Sequence, residues 1–269
     1  MKNHLLLIII SILTACSGES YNTLQEVPEI KTILDSAGVA GSVLVYDFQK
    51  DVYYSNDFKW AETGHLPAST FKIVNSIIAL ETGVVDDDST LLKWDGITRN
   101  IKNWNKDLIL RDAFHYSCVP CYQEIARKIG VKRMNEYLEK LNYGNMKVDS
   151  GNIDIFWLSG DSRINQFQQI DFLKRFYLSR LPISVRTDKI IKRMIVIEEN
   201  ENYKLSGKTG WSIRHGNNNG WFVGYVEKDK NVYYFATNIQ PDKEFNMDMF
   251  PVIRKEVTYK TLKTLHILQ

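Results

Sequence analysis

Apolar and polar positions along the chain assign most of it to helices and strands. Residues 39–47 ("VAGSVLVYD") form an apolar, β-branched run, and 51–55 ("DVYYS") follow a polar connection, so a hairpin is expected there. Residues 69–82 carry Phe71, Ile73, Val74, Ile77, Ile78, Ala79 and Leu80, an apolar surface too continuous for an exposed helix, and Gly83 is placed to end it. A loop-rich stretch with Trp94 and Trp104 comes next. Helices are expected over 108–116 and over 120–129, the latter with Pro120 in its first turn and Gly130 at its end. Residues 131–141 and 165–179 have the period of amphipathic helices. The last third changes character: 202–210, 219–228 and 231–240 read as strands joined by polar turns, and 250–268 returns to helix. Strands at both ends with helices between them predict an α+β fold. One antiparallel β-sheet is formed from both chain ends and flanked by helices, and the middle helices make an all-helical lobe. A cleft between the lobes is the natural place for a site.

The N-terminus carries an address. Lys2 and His4 precede an apolar run over 5–13, nine residues long, which fits a signal-peptide core and is too short to span a bilayer. Leu13-Thr14-Ala15-Cys16 resembles a bacterial lipobox, with Cys16 as the lipidated residue. The alternative is an ordinary secretory cleavage site, for which Leu13 is a poor small residue. Residues 1–15 are thus expected as a lipoprotein-type signal peptide, 16–29 as a polar tether and 30–269 as the folded domain. Either cleavage mode exports the protein. With lipidation it is anchored to the outer membrane on the periplasmic side, touching the membrane only through its acyl chains.

Composition removes some classes of function. A net charge of +2 over 269 residues gives no sign of a nucleic-acid binder. Five histidines, His4, His65, His115, His215 and His266, show no metal-ligand spacing, and there is no G-x-S-x-G elbow. Cys118-Val119-Pro120-Cys121 could be a redox pair or half a zinc site. With no second pair and no thioredoxin-like surroundings, two half-buried thiols at a helix start are favoured, and export leaves a disulfide open.

Lys72 poses the chemical question, because an ammonium amid such apolar neighbours is expensive. It stands three residues after Ser69, on the same helical face. Ser69 lies at the expected helix start, where backbone N–H groups can hold an oxyanion. A serine needs a base to attack, and Lys72 qualifies if burial leaves it neutral or if it is modified. Lys208-Thr209-Gly210 supplies a cation, a hydroxyl and a close-approach glycine on a strand edge that suits an extended amide-like ligand. Ser117, between them in the chain, could relay a proton to a leaving nitrogen. Each motif alone is weak: Lys72 could be a snorkelling lysine and Lys208-Thr209-Gly210 an ordinary hairpin. S-x-x-K followed by K-T-G belongs to penicillin-recognising serine enzymes.

Longer stretches sharpen this. "PASTFKIVNSIIALETG", "WNKDLILRDAFHYSCVPCYQEIARKIG", "YGN" at 143–145, "FWLSGDSRIN", "KTGWS" and "GWFVGYVEK" together resemble the class D, oxacillinase-type serine β-lactamases from about residue 30 onward. The resemblance implies a serine β-lactamase/penicillin-binding transpeptidase-like fold and a hydrolase that opens the β-lactam ring of oxacillin-type penicillins, so conferring resistance. It implies that Lys72 becomes N6-carboxylysine with carbon dioxide or bicarbonate, and no other cofactor or metal. The carbamate activates Ser69 for acylation and a water for deacylation. Trp157 holds the carbamate, and Phe71, Val119 and Leu158 line its pocket. Ser117 relays the proton and Lys208 gives electrostatic support. The N–H groups of Ser69 and Trp211 form the oxyanion hole. Thr209, Gly210, Trp211, Arg254 and Trp104 bind substrate, the Arg254 guanidinium taking the substrate's carboxylate. Arg254 as a surface arginine, and Phe156 and Trp157 as plain core aromatics, are the bland alternatives. The cysteines at 118 and 121 depart from the family's usual apolar choice, and 94–107 and 212–219 are its least transferable segments. β-Lactam-sensing receptor domains and D-Ala-D-Ala peptidases share the motifs. The former need membrane-spanning helices that this sequence does not contain.

Overall fold

The computed structural model describes residues 23–269, so the expected signal peptide, the lipobox with Cys16 and the start of the tether lie outside the described residues. In chain order the elements begin with β1 (Thr23–Glu26), α1 (Pro28–Ser36), β2 (Val39–Asp47), β3 (Val52–Ser55) and α2 (Phe58–Glu62). A 3₁₀ turn, Ala68–Phe71, runs directly into α3 (Lys72–Glu81). The lobe continues with β4 (Leu91–Leu92), β5 (Leu108–Ile109), α4 (Leu110–His115), α5 (Val119–Ile129) and α6 (Val131–Leu141). Then come α7 (Gln166–Tyr177), α8 (Val185–Met194), β6 (Val196–Glu199), β7 (Lys204–Arg214), β8 (Asn217–Lys228), β9 (Asn231–Pro241) and α9 (Phe250–Thr264).

One sheet of seven strands runs β1-β3-β2-β9-β8-β7-β6, so both chain ends build it. It is antiparallel except that β1 pairs parallel with β3. The expected tether is therefore corrected from Thr23 on. Thr23–Glu26 is an edge strand, polar but for Leu24, and all four of its residues face solvent. Pro28 then starts α1, whose Ile30 and Leu34, one helical turn apart, are buried. β8 explains its own unbroken apolar run. Trp221, Val223 and Tyr225 enter the core on the helical-lobe side, while Phe222 and Val226 enter the core shared with α1 and α9. Side chains of a strand alternate, so a strand covered on both faces is apolar throughout.

In the lobe, every residue of α3 from Lys72 to Leu80 is buried. A helix that is apolar all round belongs in an interior, and each buried Ile, Val or Leu there contributes about 1.5–3 kcal/mol relative to exposure. α5 and α8 pack on α3. The expected single helix over 69–82 thus opens as a 3₁₀ turn, and the one over 108–116 begins with a two-residue strand. α8 escaped the sequence pattern because its buried Ile190, Ile191 and Met194 are embedded among charged residues.

Candidate active site

Ser69 is set by a turn. Ala68 adopts a left-handed φ of 50° and its N–H donates to Trp157 O at 2.8 Å. From the sheet side, Trp221 Nε1 donates to Leu66 O at 2.8 Å. Thr70 Oγ1 donates to Pro67 O at 2.6 Å and accepts from Gln169 Nε2 at 3.0 Å, and Gln169 Oε1 in turn accepts from the Tyr143 hydroxyl at 3.3 Å. These contacts reach the turn from α7, from β8 and from the segment carrying Trp157. Ser69 is left 7% exposed.

Lys72 follows at the first position of α3, fully buried, with Nζ 3.1 Å from Ser69 Oγ. Among the described residues no carboxylate pairs with this amine, and the face of Tyr122 lies 5.0 Å from it. Burial brings its pKa down to about 7 from an ordinary 10.5. Near neutrality much of it is a free amine, which can act as a base or as a nucleophile toward carbon dioxide. Phe71 stacks on Trp157 at 5.5 Å and meets Phe156 edge-on at 4.9 Å. Trp157 Nε1 is buried and finds no hydrogen-bond partner among the described residues. An unsatisfied buried donor is costly, and its presence here fits an anionic acceptor close by. Leu158, beside Trp157, and Val119, two residues after Ser117, are half-buried.

The second lysine meets the second serine. Lys208 Nζ on β7 donates to Ser117 Oγ and to Thr209 O, the latter at 3.0 Å. Burial, then the positive charge of Lys72, holds the Lys208 pKa well below the ordinary range. Ser117 itself has a left-handed φ of 52°, and its N–H donates to Phe114 O at 3.1 Å. Cys118 and Cys121 are joined in a disulfide with Cα atoms 5.4 Å apart. The thiols expected there are thus a bridge, with Cys118 fully buried.

β6 pairs with β7 only as far as Ser206, so the edge beyond it is free to meet the nucleophile turn. The approach is tight: a Cβ at Gly210 would stand 3.1 Å from Pro67 O, 3.2 Å from Thr70 Cγ2 and 3.3 Å from Ala68 Cβ. Thr209 is half-buried on this edge. Trp211, also half-buried, donates through its indole to Asn218 Oδ1 at 2.8 Å. Arg254 is 6% exposed and not a surface arginine. It donates to Gly210 O, to Phe250 O at 3.1 Å and to Pro251 O at 3.2 Å. Burial lowers its pKa to about 10, so it stays charged at neutral pH. It fits because Gly220 has no side chain, since a Cβ there would stand 2.6 Å from Arg254 Cδ. Trp104 Nε1 donates to Tyr116 O, the residue before Ser117, at 3.0 Å, and Trp104 lines a cavity of about 420 Å³ on the helical lobe with Trp94 and Cys121.

The structure thus gathers Ser69, Lys72, Ser117, Lys208 and Gly210 at one junction of sheet and lobe, with Trp157 behind Phe71 and Arg254 behind the β7 edge. Three further residues were not foreseen from sequence. Tyr122 lies against Lys72, and Gln169 and Tyr143 brace Thr70. Tyr143 stood in a recognisable motif, but its partner is 26 positions away and no local pattern shows it.

The penicillin binding protein transpeptidase domain family matches residues 39–262. Beta-lactamase OXA-48 of Klebsiella pneumoniae is 44% identical over 217 residues, covering 81% of this chain and 82% of its own. Beta-lactamase OXA-10 of Pseudomonas aeruginosa is 42% identical over 217 residues, 80% of each chain. The crystal structure of a class D beta-lactamase from Sebaldella termitidis superposes with a TM-score of 0.87 at 37% identity, covering 93% of this chain and 100% of that one. Motifs, geometry and likeness over most of the length agree: the chain belongs to the class D serine β-lactamases, hydrolases built on the penicillin-binding transpeptidase fold.

Proposed function

We propose that the protein opens the β-lactam ring of oxacillin-type penicillins through a Ser69 acyl-enzyme, with carbamylated Lys72 as base in both half-reactions, and thereby confers β-lactam resistance. The observation that carries this is Lys72 Nζ, fully buried and 3.1 Å from Ser69 Oγ, with burial bringing its pKa to about 7. Carbon dioxide added to the neutral amine would supply an anionic oxygen base, and the unpartnered Trp157 N–H supports such an acceptor. Phe71, Val119 and Leu158 keep that corner apolar. Ser69 Oγ attacks the lactam carbonyl carbon and gives its proton to the base. The negative charge on the carbonyl oxygen falls to the N–H groups of Ser69 and Trp211. As the C–N bond breaks, Ser117 passes a proton to the ring nitrogen while donation from Lys208 steadies its hydroxyl. Thr209 and Gly210 offer an edge for the substrate amide. Arg254 supplies a positive field for the substrate carboxylate through donors beyond the three given to main-chain carbonyls. Trp104 stands at the rim. The same reading has the protein exported and anchored to the outer membrane through Cys16, acting on small molecules and not on nucleic acid.

The test is hydrolysis of nitrocefin and oxacillin by the protein cleaved before Cys16, with and without bicarbonate. Turnover that bicarbonate raises is the expected result. Stoichiometric acylation of Ser69 without product release, seen by intact-protein mass spectrometry, would replace the hydrolase with a sensor. Prompt release of D-alanine from D-Ala-D-Ala peptides, with penicillins left intact, would replace it with a peptidase.

A further inference from the structure

The Cys118–Cys121 disulfide closes over Val119 and Pro120 in the first turn of α5. Directly before it stands Ser117, which donation from Lys208 ties to the active site. Directly after it stands Tyr122, fully buried, with its ring 5.0 Å from Lys72 Nζ and its hydroxyl 2.7 Å from Ser76 Oγ. Six consecutive residues therefore touch both lysines of the site, and the covalent bond lies between the two contacts.

Ser117 holds a left-handed φ of 52°, a conformation that a serine keeps only where its surroundings over-determine it. On the α4 side, Ser117 N–H donates to Phe114 O at 3.1 Å and Cys118 N–H to Ala113 O at 2.8 Å. On the α5 side the cap is made by sulfur: Cys121 N–H donates to Cys118 Sγ at 3.3 Å. Cysteine is not among the good N-caps, so the bridge does what a Ser or Asp hydrogen bond would ordinarily do. A loop of so few residues removes less entropy from the unfolded chain than the longer loops disulfides usually close. Its effect is therefore chiefly local, in fixing where α5 begins relative to Ser117.

The bridge is also accessible. Cys118 is buried, but Cys121 is half-buried and lines the cavity of about 420 Å³ next to Trp94, Trp104 and Pro120. A small dithiol entering that cavity can attack Cys121 Sγ. The S–S bond then breaks and its electron pair leaves on Cys118 Sγ, at the N-terminus of α5. The second thiol of the reagent displaces Cys121, both cysteines take up protons, and the dithiol departs as a cyclic disulfide, oxidised by two electrons.

We propose that the Cys118–Cys121 disulfide is a positioning element for Ser117, and that its reduction by a dithiol slows ring opening while the domain stays folded. This rests on Ser117 as the proton relay of the proposed function. The experiment compares the oxidised protein with the same protein reduced by dithiothreitol, free thiols being counted by mass spectrometry after alkylation. We expect reduction to lower kcat and the acylation rate roughly tenfold with little change in KM. The basic limb of the pH profile should move to lower pH, because Lys208 loses an acceptor that favours its charged form. Reoxidation should restore both. The Cys118→Ala/Cys121→Ala protein should match the reduced enzyme and ignore dithiothreitol, and wild-type near-UV circular dichroism should persist on reduction. Equal acylation rates in both redox states would overturn the proposal, as would a rate loss that follows loss of the folded spectrum. Failure of the oxidised protein to turn over any β-lactam would instead sink the hydrolase reading, and this proposal with it.

Discussion

The two walls of the active site are built on different principles. The β7 wall is held by a ladder: β7 pairs with β8 from Lys204↔Glu227 to Arg214↔Asn217, one residue after another. Lys208, Thr209 and Gly210 inherit their positions from that register, and a change at one side chain leaves the others in place. The facing wall has no ladder. Ser69 and Ser117 follow or occupy left-handed positions, Ala68 at 50° and Ser117 at 52°, and are held by individual contacts from Trp157, Trp221, Phe114 and the disulfide. The sheet wall should therefore tolerate substitution wherever it does not touch the other wall. The helical wall should respond to single atoms.

The sharpest way to break this contrast is Lys72→Ala. We expect turnover to fall by about a thousandfold or more, the upper range for loss of a positioned general base, with any acyl-enzyme persisting in intact-protein mass spectra. Undiminished release of product would show that the base lies elsewhere. Next is Gly210→Val, placed where the two walls meet. Its side chain would press on Pro67, Ala68 and Thr70 and shift the nucleophile turn. A displacement near 1 Å costs about a hundredfold, so kcat should drop by that order while the melting temperature changes little. Wild-type kcat in Gly210→Val would mean that the turn is not seated on the strand.

A smaller effect, about tenfold, is expected from pH. The neutral form of Lys72 is lost as pH falls through about 7, so activity should decline there and bicarbonate should recover it most at the acid end. Stability carries the matching sign. Between about 7 and the ordinary 10.5 the unfolded chain binds a proton that folded Lys72 does not. Without carbon dioxide, stability should fall as pH drops across that window and level off below it. Lys72→Met should remove that slope from denaturant titrations. The mildest change, a few-fold, is expected from Trp157→Phe, which keeps a ring to stack on Phe71 but deletes the orphan N–H. The bicarbonate concentration needed for half-maximal activity should rise, with stability unchanged or improved. An unaltered bicarbonate response would remove Trp157 from the carbamate site.

Much of this was legible in the sequence, for a definable reason. The apolar run of α3, the two-faced strands β8 and β9, Ser69 three residues before Lys72, and Lys208-Thr209-Gly210 are all local patterns, and helical or strand geometry converts each into a surface. Edge strand β1 and the first two residues of α1, Pro28 and Glu29, were read as tether because an exposed and mostly polar stretch looks the same in a strand as in a linker, and because the first buried residue of α1, Ile30, comes only after them. What only the tertiary structure decided lies across long separations. Lys208 meets Ser117 at 91 positions' distance, Arg254 meets Gly210 at 44, and Tyr122 lies against Lys72. The left-handed turns at Ala68 and Ser117, and the closing of Cys118 onto Cys121, are local in the chain but were likewise decided by the surrounding packing. The amino-acid order determined which chemistry was present. Burial and register, which depend on all the packed elements at once, determined that Lys72 is a near-neutral amine beside a serine and that Ser117 is held where Lys208 can reach it.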